Sequence, residues 1–161
     1  LPTVKMKRRT DRLWSAADAP FDIDEFLRQP LVARVATGHR VIRPVWYLWE
    51  DETFWVITGK WSRLADRLQA DSAFELVVDT CDIRTGRTLQ VIARGCGSVV
   101  PFEDAERGRR KLVRYLGPDE TLWDDRFALP QPPTDETWWA KLVPDTMWVS
   151  DQSFKPSMNG S

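Results

Sequence analysis

A chain of 161 residues is the length of one ordinary domain, and 42% hydrophobic against 29% charged residues lets it bury a core and stay dissolved. Its formal charge of -1 argues against a general nucleic-acid binder, which would carry a basic excess. No apolar run approaches the roughly 20 residues of a membrane span, and residues 1–5 hold no apolar signal region, so a cytoplasmic protein is expected.

Residues 1–20 are polar and basic without a period and read as an N-terminal arm. Residues 22–28 predict a short helix whose acidic first turn suits the helix dipole, and Pro30 ends it. Three strands follow, at 31–37, 41–49 and 53–58, joined by short polar turns, which is the spacing of an antiparallel meander. A short helix is expected after Ser62, then a strand at 74–79, a hairpin turn at 84–87, and a long strand at 89–100. Gly95 and Gly97 mark a bend or a close backbone approach in that strand. Residues 103–116 predict a helix with Ala105, Leu112, Val113 and Leu116 as its apolar stripe, closed by Gly117-Pro118. A Pro-rich stretch at 122–134 leads to a last strand, or strand pair, at 138–143 and 146–149, broken by Pro144-Asp145. Without βαβ alternation a doubly wound parallel sheet is disfavoured. The pattern fits a mostly β (α+β) domain: one six- or seven-stranded antiparallel barrel with flanking helices.

The familiar catalytic sets are missing. His39 is the single histidine and falls in a hairpin turn, where a solvated side chain is expected. Cys81 and Cys96 form no CxxC pair and read as free core thiols, and no metal site is expected. Neither phosphate-loop nor dinucleotide glycine motif is present.

The stretch Thr58-Gly59-Lys60-Trp61-Ser62-Arg63-Leu64 places Gly, Lys, Ser and Arg where a strand gives way to a helix. Ser62 would be the N-cap, and Lys60 and Arg63 could add charge-assisted bonds to an anion at the helix start. A capped helix with solvated basic residues explains the same letters. In Arg43-Pro44-Val45-Trp46-Tyr47-Leu48-Trp49, alternation puts Arg43, Val45, Tyr47 and Trp49 on one face and Pro44, Trp46 and Leu48 on the other. Aromatics on both faces suit either a covered barrel wall or a wall for a flat ring. Nine tryptophans, with Trp138, Trp139 and Trp148 crowding the last strands, suggest a homodimer interface rather than a small core. Arg107, Arg109, Arg110, Lys111 and Arg114 read as a solvated helix face, or else as a basic rim for a cofactor's acidic part.

Taken in order, FLRQP, LVARVAT, IRPVWYLWED, TFWVIT, SRLADRLQADSAFELVVD and VIARGCGSVV resemble the pyridoxamine-phosphate-oxidase-like flavin and deazaflavin split-barrel family, over about residues 24–150. The resemblance implies a split β-barrel homodimer with two flavin sites at the subunit interface. It divides the chain into an arm (1–20), a flavin-binding domain (21–152) and a flexible tail (153–161). It places the ring region at Arg43, Val45, Trp46 and Tyr47, and the phosphate region at Thr58, Lys60, Ser62 and Arg63. The family's Ser-Arg-Lys pattern meets Leu64 here in place of Lys, and Asp66 stands where the deazaflavin branch has a further basic residue. The implied activity is an oxidoreductase holding FMN or the deazaflavin coenzyme F-420 and passing a hydride or electron pair to or from a small organic substrate. Arg43 is the candidate for stabilising the reduced ring. The alternative is a non-catalytic flavin or haem carrier on the same barrel, with His39 as the axial ligand.

Overall fold

The computed structural model describes residues 5–7, 13–14, 16–38, 40–128 and 136–157. Its elements are β1 (Lys5–Lys7), β2 (Leu13–Trp14), α1 (Ile23–Leu27), β3 (Val32–Thr37), β4 (Val41–Trp46), β5 (Leu48–Glu50), β6 (Thr53–Gly59), α2 (Leu64–Ala70), β7 (Ala73–Cys81), β8 (Thr88–Pro101), α3 (Ala105–Leu116) and β9 (Thr137–Asp151), with 3-10 turns at Ala16–Asp18, Glu120–Leu122 and Asp125–Phe127.

The seven strands β3 to β9 form a curled antiparallel sheet in which neighbours run β4-β3-β7-β8-β9-β6-β5. β4 and β5 are consecutive in the chain, so the two ends of this order are joined covalently through Tyr47. The first part of that strand pairs with β3 and the second with β6. β4 and β6 are not paired with each other, and the barrel is split between them. The expected single strand at 41–49 is therefore interrupted. Alternation continues through the break, which is why sequence period alone conceals it.

β9 pairs with β6 over Phe54↔Leu142 to Gly59↔Thr137, then with β1, in parallel, over Lys5↔Thr146 to Lys7↔Trp148. The exchange of neighbours falls at Pro144-Asp145. There β9 runs on unbroken and carries one extra residue: Arg94 faces Thr146 while Gly95 faces Pro144. The expected break is thus a β-bulge in a continuous strand. Gly95 belongs there because a Cβ would collide with the Val143 carbonyl oxygen. β1 takes part of the N-terminal arm into the sheet, and β2 pairs with β1 antiparallel.

Period-2 alternation along β6 feeds two cores. Phe54 and Val56 enter the barrel interior with Tyr47, Trp49, Leu76, Val91 and Leu142. Trp55 points the other way into a smaller cluster with Leu48, Phe102 and Trp139. Burying each such side chain contributes roughly 1.5–3 kcal/mol. Trp49, Trp55 and Trp139 are therefore core residues of a single chain, which corrects the interface reading for Trp139, while Trp138 and Trp148 stay part-exposed. The cysteines are also corrected: both are free, but Cys81 and Cys96 are exposed rather than core. Among the described residues no helix is long and apolar enough to cross a membrane.

Candidate ligand-binding site

β4 and β6 diverge next to the start of α2, and a trough opens between them. One compartment, of about 470 Å³, is walled by Val35, Arg43, Val45, Trp46, Ile57 and the α2 end, including Ser62, Arg63 and Arg67. A second, of about 580 Å³, is walled by Leu112 of α3 and by Arg126, Phe127 and Thr137. The two share Trp46, Ile57, Trp61 and Lys111, so these four form the waist of one trough.

Trp46 is fixed in place from both sides. Its ring stacks on Tyr115 of α3 at 4.4 Å and 1°, and on Phe127 at 5.4 Å and 12°. The strand break sets this position. Tyr47 has no ladder partner, and its N–H donates to the Tyr115 hydroxyl at 3.0 Å. That hydroxyl donates to the Leu31 carbonyl at 2.7 Å and lies 3.1 Å from the Tyr47 carbonyl. One phenol thus takes the role of the missing strand. Burial pushes its pKa up.

At the far wall Trp61 is 67% exposed and folds back over Gly59. A Cβ on Gly59 would collide with that ring and with the Glu136 carbonyl. The expected N-cap is displaced by one residue. Arg63 occupies the cap position without a side-chain cap bond, and the Ser62 hydroxyl accepts from the Leu64 N–H at 3.2 Å. Leu64 is buried, so the position where the family carries Lys serves the core here. One turn on, Asp66 is exposed. Its neighbour Arg67 enters the trough wall, where its Nε donates to the Thr37 hydroxyl at 3.0 Å.

Of the residues singled out from sequence, the trough brings together Arg43, Val45, Trp46, Ser62 and Arg63. Arg43 is exposed there and donates to the Ile42 carbonyl at 2.8 Å. Three others lie off the lining. Tyr47 is fully buried, edge-on to Phe54, and faces the barrel core. Thr58 is buried, with its hydroxyl unpaired among the described residues. Lys60 is exposed and pairs with Glu136 at 3.0 Å. His39 lies outside the described residues.

Arg67, Trp61, Phe127 and Lys111 were not among the expected site residues. Lys111 also departs from the solvated-face reading of its helix, since only 6% of it is exposed. Burial lowers its pKa to about 8. Other cations of α3 are engaged as well. Arg107 lies 3.7 Å over the Trp55 ring, and Arg110 makes a two-point contact with Glu50 at 2.7 and 3.0 Å, which holds the Glu50 carboxyl below its usual range.

The fold is a split β-barrel, shared with solved structures that include a putative pyridoxamine 5'-phosphate oxidase from Listeria innocua (TM-score 0.58, 14% identity, over 79% of this chain and 94% of its own). The conserved hypothetical protein Rv2991 from Mycobacterium tuberculosis matches 96% of this chain and 98% of its own, with a TM-score of 0.70 and 21% identity. An F-420 reductase matches over 80% of this chain and 98% of its own (TM-score 0.57, 22% identity). The flavocytochrome Anf3 from Azotobacter vinelandii matches over 84% and 68% (TM-score 0.63, 14% identity). No protein-family model and no curated protein matches the chain.

Proposed function

We propose that the protein is an oxidoreductase that binds FMN or the deazaflavin coenzyme F-420 in the trough between β4 and β6. The observation that carries the reading is the trough's composition. Trp46 and Trp61 stand at its waist, and Arg43, Arg63, Arg67 and Lys111 gather on its walls. A planar ring with an anionic tail needs both. The residues fit such a group. The exposed Trp61 ring offers stacking surface, and guanidinium groups match phosphate oxygens in a two-point geometry. The similarity to an F-420 reductase and to a flavocytochrome supports the same class.

In this reading Arg63 and Arg67 hold the anionic tail, with the Ser62 hydroxyl beside them. Arg43 and the β4 backbone meet the ring edge, where a cation stabilises negative charge that develops during reaction. Trp46 holds one wall still, because its ring is already stacked on Tyr115 and Phe127. A bound flavin or deazaflavin supplies the two-electron chemistry that no side chain here can provide. The small organic substrate would lie against the same aromatic surface.

A homodimer belongs to this proposal. β4 ends the strand order, and Ile42 on it is 61% exposed next to Arg43. An exposed apolar edge at the mouth of the trough suits cover by a second copy. Light scattering on the purified protein checks this, and a monomer at all concentrations rejects it.

The visible spectrum of the purified protein, followed by titration with FMN, the F-420 coenzyme and haem, tests the assignment. Flavin or deazaflavin bands that shift on binding support it. A Soret band that His39→Ala abolishes would replace it with a haem carrier. A protein that binds none of the three overturns it.

A further inference from the structure

Among the described basic residues on the trough walls, Lys111 is the buried one. Its side chain is 94% buried by residue exposure, on the inner face of α3 with Gly108 and Leu112. Among the described residues its ammonium has no hydrogen bond and no ion pair. A lysine covered along most of its length, whose ammonium meets no acidic partner, is less favourable than one in open water. The surroundings do not relieve it. The other charged side chains on the trough walls are Arg43 on β4, Arg63 before α2, Arg67 on α2 and Arg126 on the turn after α3, all cations. No Asp or Glu among the described residues lines either compartment.

Position distinguishes Lys111 from those arginines. Arg43, Arg63 and Arg67 line only the first compartment, and Arg126 only the second, whereas Lys111 lines both. Its side chain therefore lines the waist together with Trp46, Ile57 and Trp61.

We propose that Lys111 is a ligand-binding residue, whose ammonium pairs with an anionic group held at the waist of the trough, separate from the anionic tail met by Arg63 and Arg67. The proposal rests on the trough being the ligand site and deepens that reading. The occupant is an aromatic molecule, or a pair of stacked molecules, with negative charge at two separated points. The waist anion is either part of the cofactor or the carboxylate of a small aromatic acid that stacks beside it.

The test compares the full chain with Lys111→Met and Lys111→Gln. Calorimetric titrations use FMN, then benzoate added to the free and to the FMN-saturated protein, with thermal unfolding as a check of the fold. Met removes the charge and keeps an unbranched apolar stem one atom shorter, so the ligand-free variant is expected to melt no lower than the wild type. At least a tenfold loss of FMN affinity in both variants supports the proposal and assigns the waist anion to the cofactor. A tenfold loss confined to benzoate supports it and assigns the anion to a small acid. A wild type that binds benzoate in a Lys111-dependent way but no FMN supports the residue's role while the flavin reading falls. Affinities within threefold of the wild type for both probes overturn the proposal and leave the flavin reading standing. A wild type that binds neither probe overturns it also.

Discussion

Tyr115→Phe is the sharpest test of how the trough is held open. The substitution removes one oxygen and leaves the ring, so the 4.4 Å stack on Trp46 and the helix contacts survive. Two backbone groups lose their partner. The Tyr47 N–H, on a residue with no exposed surface, donates only to this hydroxyl among the described residues, and the Leu31 carbonyl accepts from it at 2.7 Å. Losing a typical hydrogen bond costs about 1 kcal/mol, and leaving a buried N–H unsatisfied adds roughly 1–3 kcal/mol. The expected loss is therefore about 2–4 kcal/mol, near 10 °C in melting temperature for a chain of this length. Urea unfolding should show a lower midpoint with an unchanged m-value. Ligand affinity should fall too, because the Tyr47 peptide sets the direction of Trp46. A variant within about 0.5 kcal/mol of the wild type would refute the claim that the phenol substitutes for a missing strand.

Arg63→Ala and Arg67→Ala should each weaken FMN binding by roughly 10- to 100-fold, the range of a lost charge-assisted bond. Lys60→Ala should leave affinity unchanged and cost under about 1 kcal/mol, since its partner is an exposed Glu136; calorimetric titration of the three separates them. Gly95→Ala should destabilise by roughly 1–3 kcal/mol or more, because the new methyl meets the Val143 carbonyl across the bulge, and a midpoint equal to wild type would discount the bulge as a tight approach. The Lys111 ammonium has a folded pKa of about 8 against an ordinary 10.5. Between those values the unfolded chain holds a proton that the folded chain has lost, so stability should rise with pH across about 8 to 10.5, by roughly 3 kcal/mol. Lys111→Met should lose this rise, and denaturation midpoints taken from pH 7 to 10.5 measure it.

Much of the fold was legible because the strands announce themselves locally. Runs such as LVARVAT and TFWVIT are β-branched or aromatic, and short polar turns separate them, so register and antiparallel order follow. The misreadings share one physical reason. Each depends on what a distant element supplies. Pro144-Asp145 looks like a break because proline cannot donate to a ladder, and it is a bulge only because Gly95 lies opposite. Tyr47 looks like an ordinary alternating residue, and it is a break only because Tyr115, 68 positions on, satisfies its backbone. Lys60 stands beside Gly59 and Ser62 in the sequence, but Glu136 draws it away from the trough. Lys111 was hidden among five basic residues of one helix. A signal was present: it follows Gly108 by three positions, adjoins Leu112 and precedes Tyr115 by four, which is the inner face of α3.

The same long-range contacts explain why the site lies where it does. A strand that changes partner cannot pair on both sides at the point of change, so the sheet must open there. In this chain the opening falls between β4 and β6, and the Tyr47 backbone groups at the change of partner are met by the Tyr115 hydroxyl. That leaves the opening between β4 and β6 free of ladder hydrogen bonds. α2 brings arginines to one end of it and α3 brings Lys111 to its waist, while the two helices keep their apolar sides on the cores. Leu64 and Arg67 show how one short helix does both: three residues apart, the first is buried in the barrel core and the second reaches the trough wall. A basic residue at position 64 would have to leave that core to reach the same anion. In the proposed site the charge is carried instead by Arg67, and anion binding at this end would depend on the pair Arg63 and Arg67 rather than on consecutive basic residues.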